Sequence, residues 1–308
     1  MIVVRDPGDL YEVSPGAAVP DGGVLLHYLD GFIDAGAAGR LLTAHLLTTL
    51  GHEPVATFDV DRLIDYRSRR PVMTFEKDHW SEYAAPELVV HRVRDAAGTP
   101  FLLLTGPEPD HEWELFAAAS SDLATRLGAG LAVGFHGIPM GVPHTRPLGL
   151  TAHGTRPALT EGYRPVVDVL QVPGSLPALL ELRFGQQGRD AAGFAVHVPH
   201  YLSQAAYPAA AVTLLGTVSR ATGLSLPDEA LREAARRTDE EIARQVDDSD
   251  EIKEVVLALE RQYDAFADAA QREGLLADVA EMPTADELAA QFERFLAEQQ
   301  GRPDSPES

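Results

Sequence analysis

The sequence predicts an α/β protein, with a mainly parallel sheet between layers of helix and an acidic helical appendage at the C-terminal end. Three observations carry this expectation. Short apolar runs alternate with stretches of helical spacing over the first two thirds of the chain, the pattern of a sheet sandwiched by helices. Near Gly223 the texture changes to long charged segments with narrow apolar stripes. The chain has 308 residues, 45% hydrophobic and 23% charged, an ordinary globular balance. A compact fold of that size buries about 75% of its unfolded surface and needs no covalent staples.

Val24 to Leu29 reads as the first clear strand, bounded by Gly22-Gly23 and Asp30-Gly31. A helix follows, opened by Asp34-Ala35-Gly36, carrying Leu41, Leu42, His45, Leu46 and Thr49 at helical spacing, and ended by Gly51. Pro54–Phe58 reads as a strand. Leu88–Val93 and Phe101–Thr105 read as a pair turning at Gly98. Asp110 is placed to cap a helix running to Leu127, with Glu112 and Glu114 favouring its positive end. Leu131–Phe135 is a buried strand, and Gly137–Pro147, rich in Pro and Gly, reads as loop. Strands are expected at Leu150–His153, Val166–Val172 and Ala192–Val198, a short helix at Ser175–Leu182, and a small-residue helix at Ala205–Ala221.

Beyond Gly223, Pro227-Asp228-Glu229 opens a helix with a stripe of Leu231, Ala234, Ala235, Ile242 and Val246. Ile252, Val255, Val256, Leu259, Tyr263 and Phe266 form a second stripe, and Pro283-Thr284-Ala285 opens a third helix with Leu288, Phe292, Phe295 and Leu296. The organisation read from this is an α/β/α domain over 1–223, a helical appendage over 224–300 and a disordered tail over 301–308.

Charge and composition remove several function classes. The net charge is −22, and residues 226–308 hold 23 of the 47 acidic side chains but 9 of the 25 basic ones. Such a field repels phosphate backbones, so no nucleic-acid partner is expected. Cysteine is absent, which excludes disulfides, thiolate metal sites and a cysteine nucleophile. The N-terminal residues do not form a signal peptide, and no apolar run reaches the ~18 residues of a membrane span. The expectation is a cytoplasmic protein with no membrane partner.

Three loops carry residues with chemical potential. Gly31-Phe32-Ile33-Asp34-Ala35-Gly36 joins a strand to a helix without the spacing of a dinucleotide or phosphate loop. Asp34 as N-cap of a tight turn accounts for it, and its place at a strand's C-terminal edge also makes it a pocket rim. The run Asp61 to Pro71 offers Arg67 and Arg70 as an anion clamp, set against simple pairing of its arginines with Asp61 and Asp65. His136, His144 and Arg146 follow a buried strand, where a proton carrier or anion holder is useful, though histidines bonded to loop backbone are the more ordinary explanation. His197-Val198-Pro199-His200 has the wrong spacing for a helical metal pair, so no metal site is expected. Ser175 and Ser203 lack a nucleophile elbow.

Together with Tyr28-Leu29-Asp30, Leu104-Thr105-Gly106-Pro107-Glu108-Pro109, Thr151-Ala152-His153-Gly154 and Gly193 to Leu202, these loops resemble the proteasome assembly chaperone 2 family, more closely its actinobacterial branch, over roughly residues 20–265. The resemblance implies a three-layer α/β/α sandwich similar to the purine nucleoside phosphorylase and hydrolase-like fold. It also implies homo-oligomers, with a trimer favoured, and proteasome subunits as partners, since eukaryotic relatives assist assembly of the proteasome α-ring. An ATP-grasp label attached to the family finds no phosphate loop or magnesium carboxylate pair here, so no cofactor is expected. The chain ends Pro306-Glu307-Ser308 instead of the hydrophobic-Tyr-any tripeptide by which some proteasome partners dock. Three functions remain in competition: a non-catalytic binding or assembly protein, a phosphorylase- or hydrolase-like enzyme acting on a small anionic nucleoside-like molecule, and a ligand-binding regulator without turnover.

Overall fold

A computed structural model of the chain describes residues 6–17, 22–163 and 169–275. Its elements run β1 (Tyr11–Val13), β2 (Gly23–Asp30), α1 (Ala38–Thr49), β3 (His52–Phe58), α2 (Val60–Leu63), β4 (Met73–Glu76), β5 (His79–Tyr83), β6 (Val89–Arg94), β7 (Pro100–Pro107) and α3 (Trp113–Arg126). They continue with β8 (Ala129–Met140), β9 (Leu150–Gly154), α4 (Leu176–Gln186), β10 (Asp190–Pro199), α5 (Pro208–Thr222), α6 (Glu229–Asp247) and α7 (Asp250–Leu275).

Among the described residues, eight strands form one sheet in the order β1-β3-β6-β7-β2-β8-β10-β9. The four central strands β7, β2, β8 and β10 are parallel, and the flanking strands are antiparallel. The centre is buried on both faces, which is why its strands are continuous apolar runs. Alternation along β2 sends Leu25 and Leu29 to one core and Val24, Leu26 and Tyr28 to the other. The first core is closed by α3 and α4 through Phe116, Leu123, Leu176, Leu180 and Phe184. The second is closed by α1 and α5 through Leu42, Leu46, Leu214 and Val218. The result is the expected α/β/α sandwich.

The chain stays on this sandwich after Gly223. Asp95, buried at the β6–β7 turn, accepts from Ser225 N at 2.8 Å, and Leu224 and Leu226 are buried. On α6, Leu231 and Ile242 enter the second core, with Val246 packed against it. On α7, Val256 is buried while Ile252, Val255 and Phe266 remain exposed. The expected third helix from Pro283 and the tail from Gly301 lie outside the described residues.

Four local expectations need correction. The chain from Gly137 is not yet loop: β8 continues to Met140, held in parallel register by β10 from Gly137↔Val196 to Met140↔Pro199. Pro139 is tolerated there because β2 no longer pairs on the other side. The helix expected from Asp110 begins at Trp113 with Glu112 as N-cap, because Asp110 is taken by Arg69 Nη2 at 2.6 Å and Asp65 N at 2.8 Å. Of the strand expected at Val166–Val172, residues 166–168 lie outside the described residues, and residues 169–172 pair with no strand among the described residues. Finally, β4 and β5 form a separate hairpin with no counterpart in the sequence reading.

Candidate functional site

The sheet has one place where chain direction leaves an opening. After β2 the chain turns through α1 toward β3 on one side, and after β8 it proceeds to β9 on the other. Crevices at such switch points, beyond the C-terminal strand ends, are where α/β sheets usually bind ligands. Pairing between β2 and β8 stops at His27↔Gly134, although β2 runs to Asp30 and β8 to Met140.

Here the loop of residues 31–37 fills the opening, and Asp34 fixes it. Oδ1 of Asp34 accepts from Gly39 N and Gly137 N, both at 2.9 Å. Oδ2 accepts from Arg40 N at 3.1 Å and from the Tyr28 hydroxyl at 3.0 Å. One carboxylate thus caps α1 and ties it to β8. The approach is close enough that a Cβ on Gly137 would stand 2.1 Å from the Ala35 carbonyl oxygen, so only glycine fits there. The loop is held from its other side by Gly36 N to Ser203 O at 2.9 Å and Tyr207 N to Gly36 O at 2.8 Å. Burial, with Asp34 and Asp30 nearby, pushes the Tyr28 hydroxyl well above its ordinary pKa, so it remains a donor.

Beneath this loop lies a row of histidines and glycines. Register places His27 of β2, Gly134 of β8, Gly193 of β10 and His153 of β9 side by side. A Cβ on Gly134 would come within 2.6 Å of His27 Cε1, and one on Gly193 within 2.1 Å of His153 Cε1. The two imidazoles therefore occupy the space that side chains at those glycines would take. His27 is 3% exposed, and its Nδ1 has no hydrogen-bond partner among the described residues. Burial, then the neighbouring His153 and His136, pushes its pKa down to about 4, so the ring is neutral at pH 7. His153 Nδ1 meets Glu181 of α4 at 2.7 Å.

The six residues singled out from the sequence fall in three places. Asp34 and His136 are neighbours at the crevice, since Asp34 binds the backbone N–H that follows His136. His136 is half-buried, and burial lowers its pKa, with His153 adding to this and Asp34 opposing. His144 and Arg146 form a second group under α7. The Tyr201 hydroxyl accepts from His144 N at 2.9 Å and lies 2.7 Å from its Nδ1. Arg146 grips Asp264 with two bonds of 2.8 and 2.7 Å and reaches Glu260 at 3.2 Å. Burial also lowers the pKa of His144, with Asp239 and Glu260 opposing. Arg67 and Arg70 are exposed, and neither makes an ion pair among the described residues.

It is Arg69, between them, that reaches the sheet edge. It donates to Asp30 O at 3.3 Å and to Asp110 at 2.6 Å. Beside it Glu108 is 6% exposed, accepts from Leu176 N at 2.6 Å, and has its pKa raised, by burial above all. The sequence signal for both was present but weak: one arginine among four in a charged run, and one acid between two prolines. Among the described residues no group of three His, Asp or Glu is spaced to hold a metal. A hollow of about 520 Å³ between α5 and α6 is lined by Arg232, Arg236, Asp239 and Glu240. Arg232 and Arg236 there are already paired with Asp228, Glu233 and Glu240.

Comparison with known proteins places this arrangement. No curated protein matches the chain. Among solved structures, it is similar to the Mycobacterium tuberculosis unknown-function protein Rv2714, with 47% identity, coverage of 96% of this chain and 97% of that one, and a TM-score of 0.82. It is similar in fold to the M. tuberculosis proteasome-assembly chaperone homologue Rv2125 (24% identity, 76% and 99% coverage, TM-score 0.69). The fold also matches Pyrococcus furiosus PbaB, an archaeal proteasome activator (18% identity, 77% and 98% coverage, TM-score 0.56). The PAC2 family model matches residues 28–246, a span that runs from Tyr28 in β2 through the crevice loop, His136, His144 and Arg146 to α6. The chain belongs to the PAC2 family.

Proposed function

We propose that this protein is a non-catalytic binding and assembly protein of the cytoplasm, acting as a homo-oligomer with proteasome subunits as its partners. The observation that supports this reading most is how the crevice is used. Where an α/β enzyme would admit substrate, the chain's own loop is seated, and all four contacts of Asp34 hold structure. Arg146, one of the anion holders the sequence offers, is engaged by two acids of α7. Catalysis needs groups free to meet a transition state, and these are spent on the fold. Fold alone does not assign function, but relatives described as a proteasome-assembly chaperone homologue and a proteasome activator make proteasome subunits the partner class to test. A trimer is the preferred subunit number on the family resemblance. The experiment is to mix the purified protein with purified proteasome α subunits of the same organism and follow mass by light scattering. A stable joint species supports the reading, and independent migration at micromolar concentration contradicts it.

A further inference from the structure

Helix α7 turns an apolar seam to water. Its inner face is set by buried Val256 and by three polar residues that fasten it to the loop of residues 144–147. Glu260 and Asp264 hold Arg146, and the Tyr263 hydroxyl donates to Pro147 O at 3.0 Å. Beside that face, Ile252, Val255, Leu259, Gln262 and Phe266 recur at steps of three and four residues, the spacing that keeps one line along a helix for a second helix to cover. Ile252, Val255 and Phe266 keep 42%, 46% and 70% of their surface in water, and Leu259 is only half-buried. No helix lies along this line among the described residues.

The sequence beyond α7 carries a matching pattern. Thr284 followed by Glu287 has the form of a capping box, just after Pro283. Ala285, Leu288, Phe292, Phe295 and Gln299 then recur at the same steps of three and four. The residues between Leu275, where α7 ends, and Thr284 can extend to roughly 26 Å, ample to turn the chain back across the ~10 Å between packed helices. Run antiparallel, the two patterns fall into register over four layers: Phe266 against Leu288, Gln262 against Phe292, Leu259 against Phe295, and Val255 against Gln299. Every step along one segment is matched by an equal step along the other.

We infer that residues 283–299 fold back as a helix on the exposed seam of α7, closing the acidic arm as a helical hairpin. A segment of the same chain is the fitting occupant for two reasons. Glutamine stands in two of the four layers, which makes the seam too weak to recruit a free helix from dilute solution. A short tether supplies an effective concentration in the millimolar range, which a second copy or a foreign helix does not have. The net charge of −22 also sets copies of the chain against one another, whereas the tether holds the segment in place regardless. The apolar line of α7 is then closed to partner helices.

The chain has no cysteine, so the full-length protein can be tested with introduced thiols. Gln262→Cys with Phe292→Cys places two thiols in one layer. Gln262→Cys with Arg294→Cys puts the second thiol on the far side of the returning helix. In a glutathione redox buffer the first pair should close within one 33.2 kDa chain about tenfold faster than the second. Equal rates would mean a loose tether and overturn the inference, and a disulfide joining two chains would overturn it in favour of a second copy. Phe266→Asp decides the matter without thiols, because α7 itself does not bury that ring. Its circular dichroism at 222 nm should fall by the signal of one helix of about 15 residues, with the main urea transition unmoved. An unchanged helical signal overturns the inference whatever the register.

Discussion

Replacing Asp34 by alanine measures how much of the crevice is structure. The carboxylate receives three backbone N–H groups and one hydroxyl, and the residues donating from Gly39 and Gly137 are buried. A buried donor left without an acceptor costs about 1–3 kcal/mol, and loss of an N-cap costs about 1 kcal/mol. Arg40 is exposed, so its N–H regains water at little cost. The sum expected for Asp34→Ala is about 3 kcal/mol. At a slope of roughly 3 kcal/mol per M, the urea midpoint falls by about 1 M. Asp34→Asn keeps an oxygen for Gly39 and Gly137 but turns an amide toward Arg40 N and the Tyr28 hydroxyl, so it should lie between. A midpoint for Asp34→Ala within about 0.3 M of the unmodified protein would refute this reasoning. It would mean that the carboxylate is held for a ligand and not for the fold.

The histidine row predicts acid lability. A histidine whose folded pKa lies at about 4, below its ordinary 6.5, contributes stability that is fully present above pH 6.5 and lost as the pH falls toward 4. For His27 the loss is about 3 kcal/mol, and a urea midpoint that stays flat from pH 7 to 5 would contradict it. Gly134→Ala should cost about 2–3 kcal/mol because the His27 ring has nowhere to go, whereas Gly193→Ala costs less, since the exposed His153 ring can swing out at the loss of Glu181; equal midpoints would contradict the difference. Leu259→Asp is expected to loosen α7 while the sandwich stays folded, read as faster proteolysis after residue 247 with an unchanged main urea transition. Loss of the whole fold in one step would make α7 part of the core. Purine nucleosides with phosphate should release no free base, and release that scales with protein and disappears in His144→Ala and Arg146→Ala would reverse the functional reading.

The parallel centre was legible because burial on both faces writes itself as apolar runs, as in Val24–Leu29 and Ala192–Val198. Asp34 was legible as a cap, since a short acid before a helix has few other uses. The reach of β8 to Met140 was not, because Pro139 argues against a strand unless the missing neighbour on one side is known. The β4–β5 hairpin left no trace, since its alternation spans four residues and nothing in its own chain buries it. His27 was hidden for the opposite reason. It reads as one polar residue in an apolar strand, and only the cross-strand register shows that Gly134 and Gly193 are glycines to house it and His153. Arg146 was visible as a charge, but its partners Glu260 and Asp264 lie more than a hundred residues on, where local patterns carry no information.

On the function proposed above, this chain binds proteins and does not turn over a substrate. Light scattering on the purified protein titrated with proteasome α subunits of its own organism tests that most directly. The expected result is a new species whose mass is a fixed combination of both chains, formed at micromolar concentration and insensitive to added nucleosides or phosphate. Two unchanged masses across the titration would contradict it.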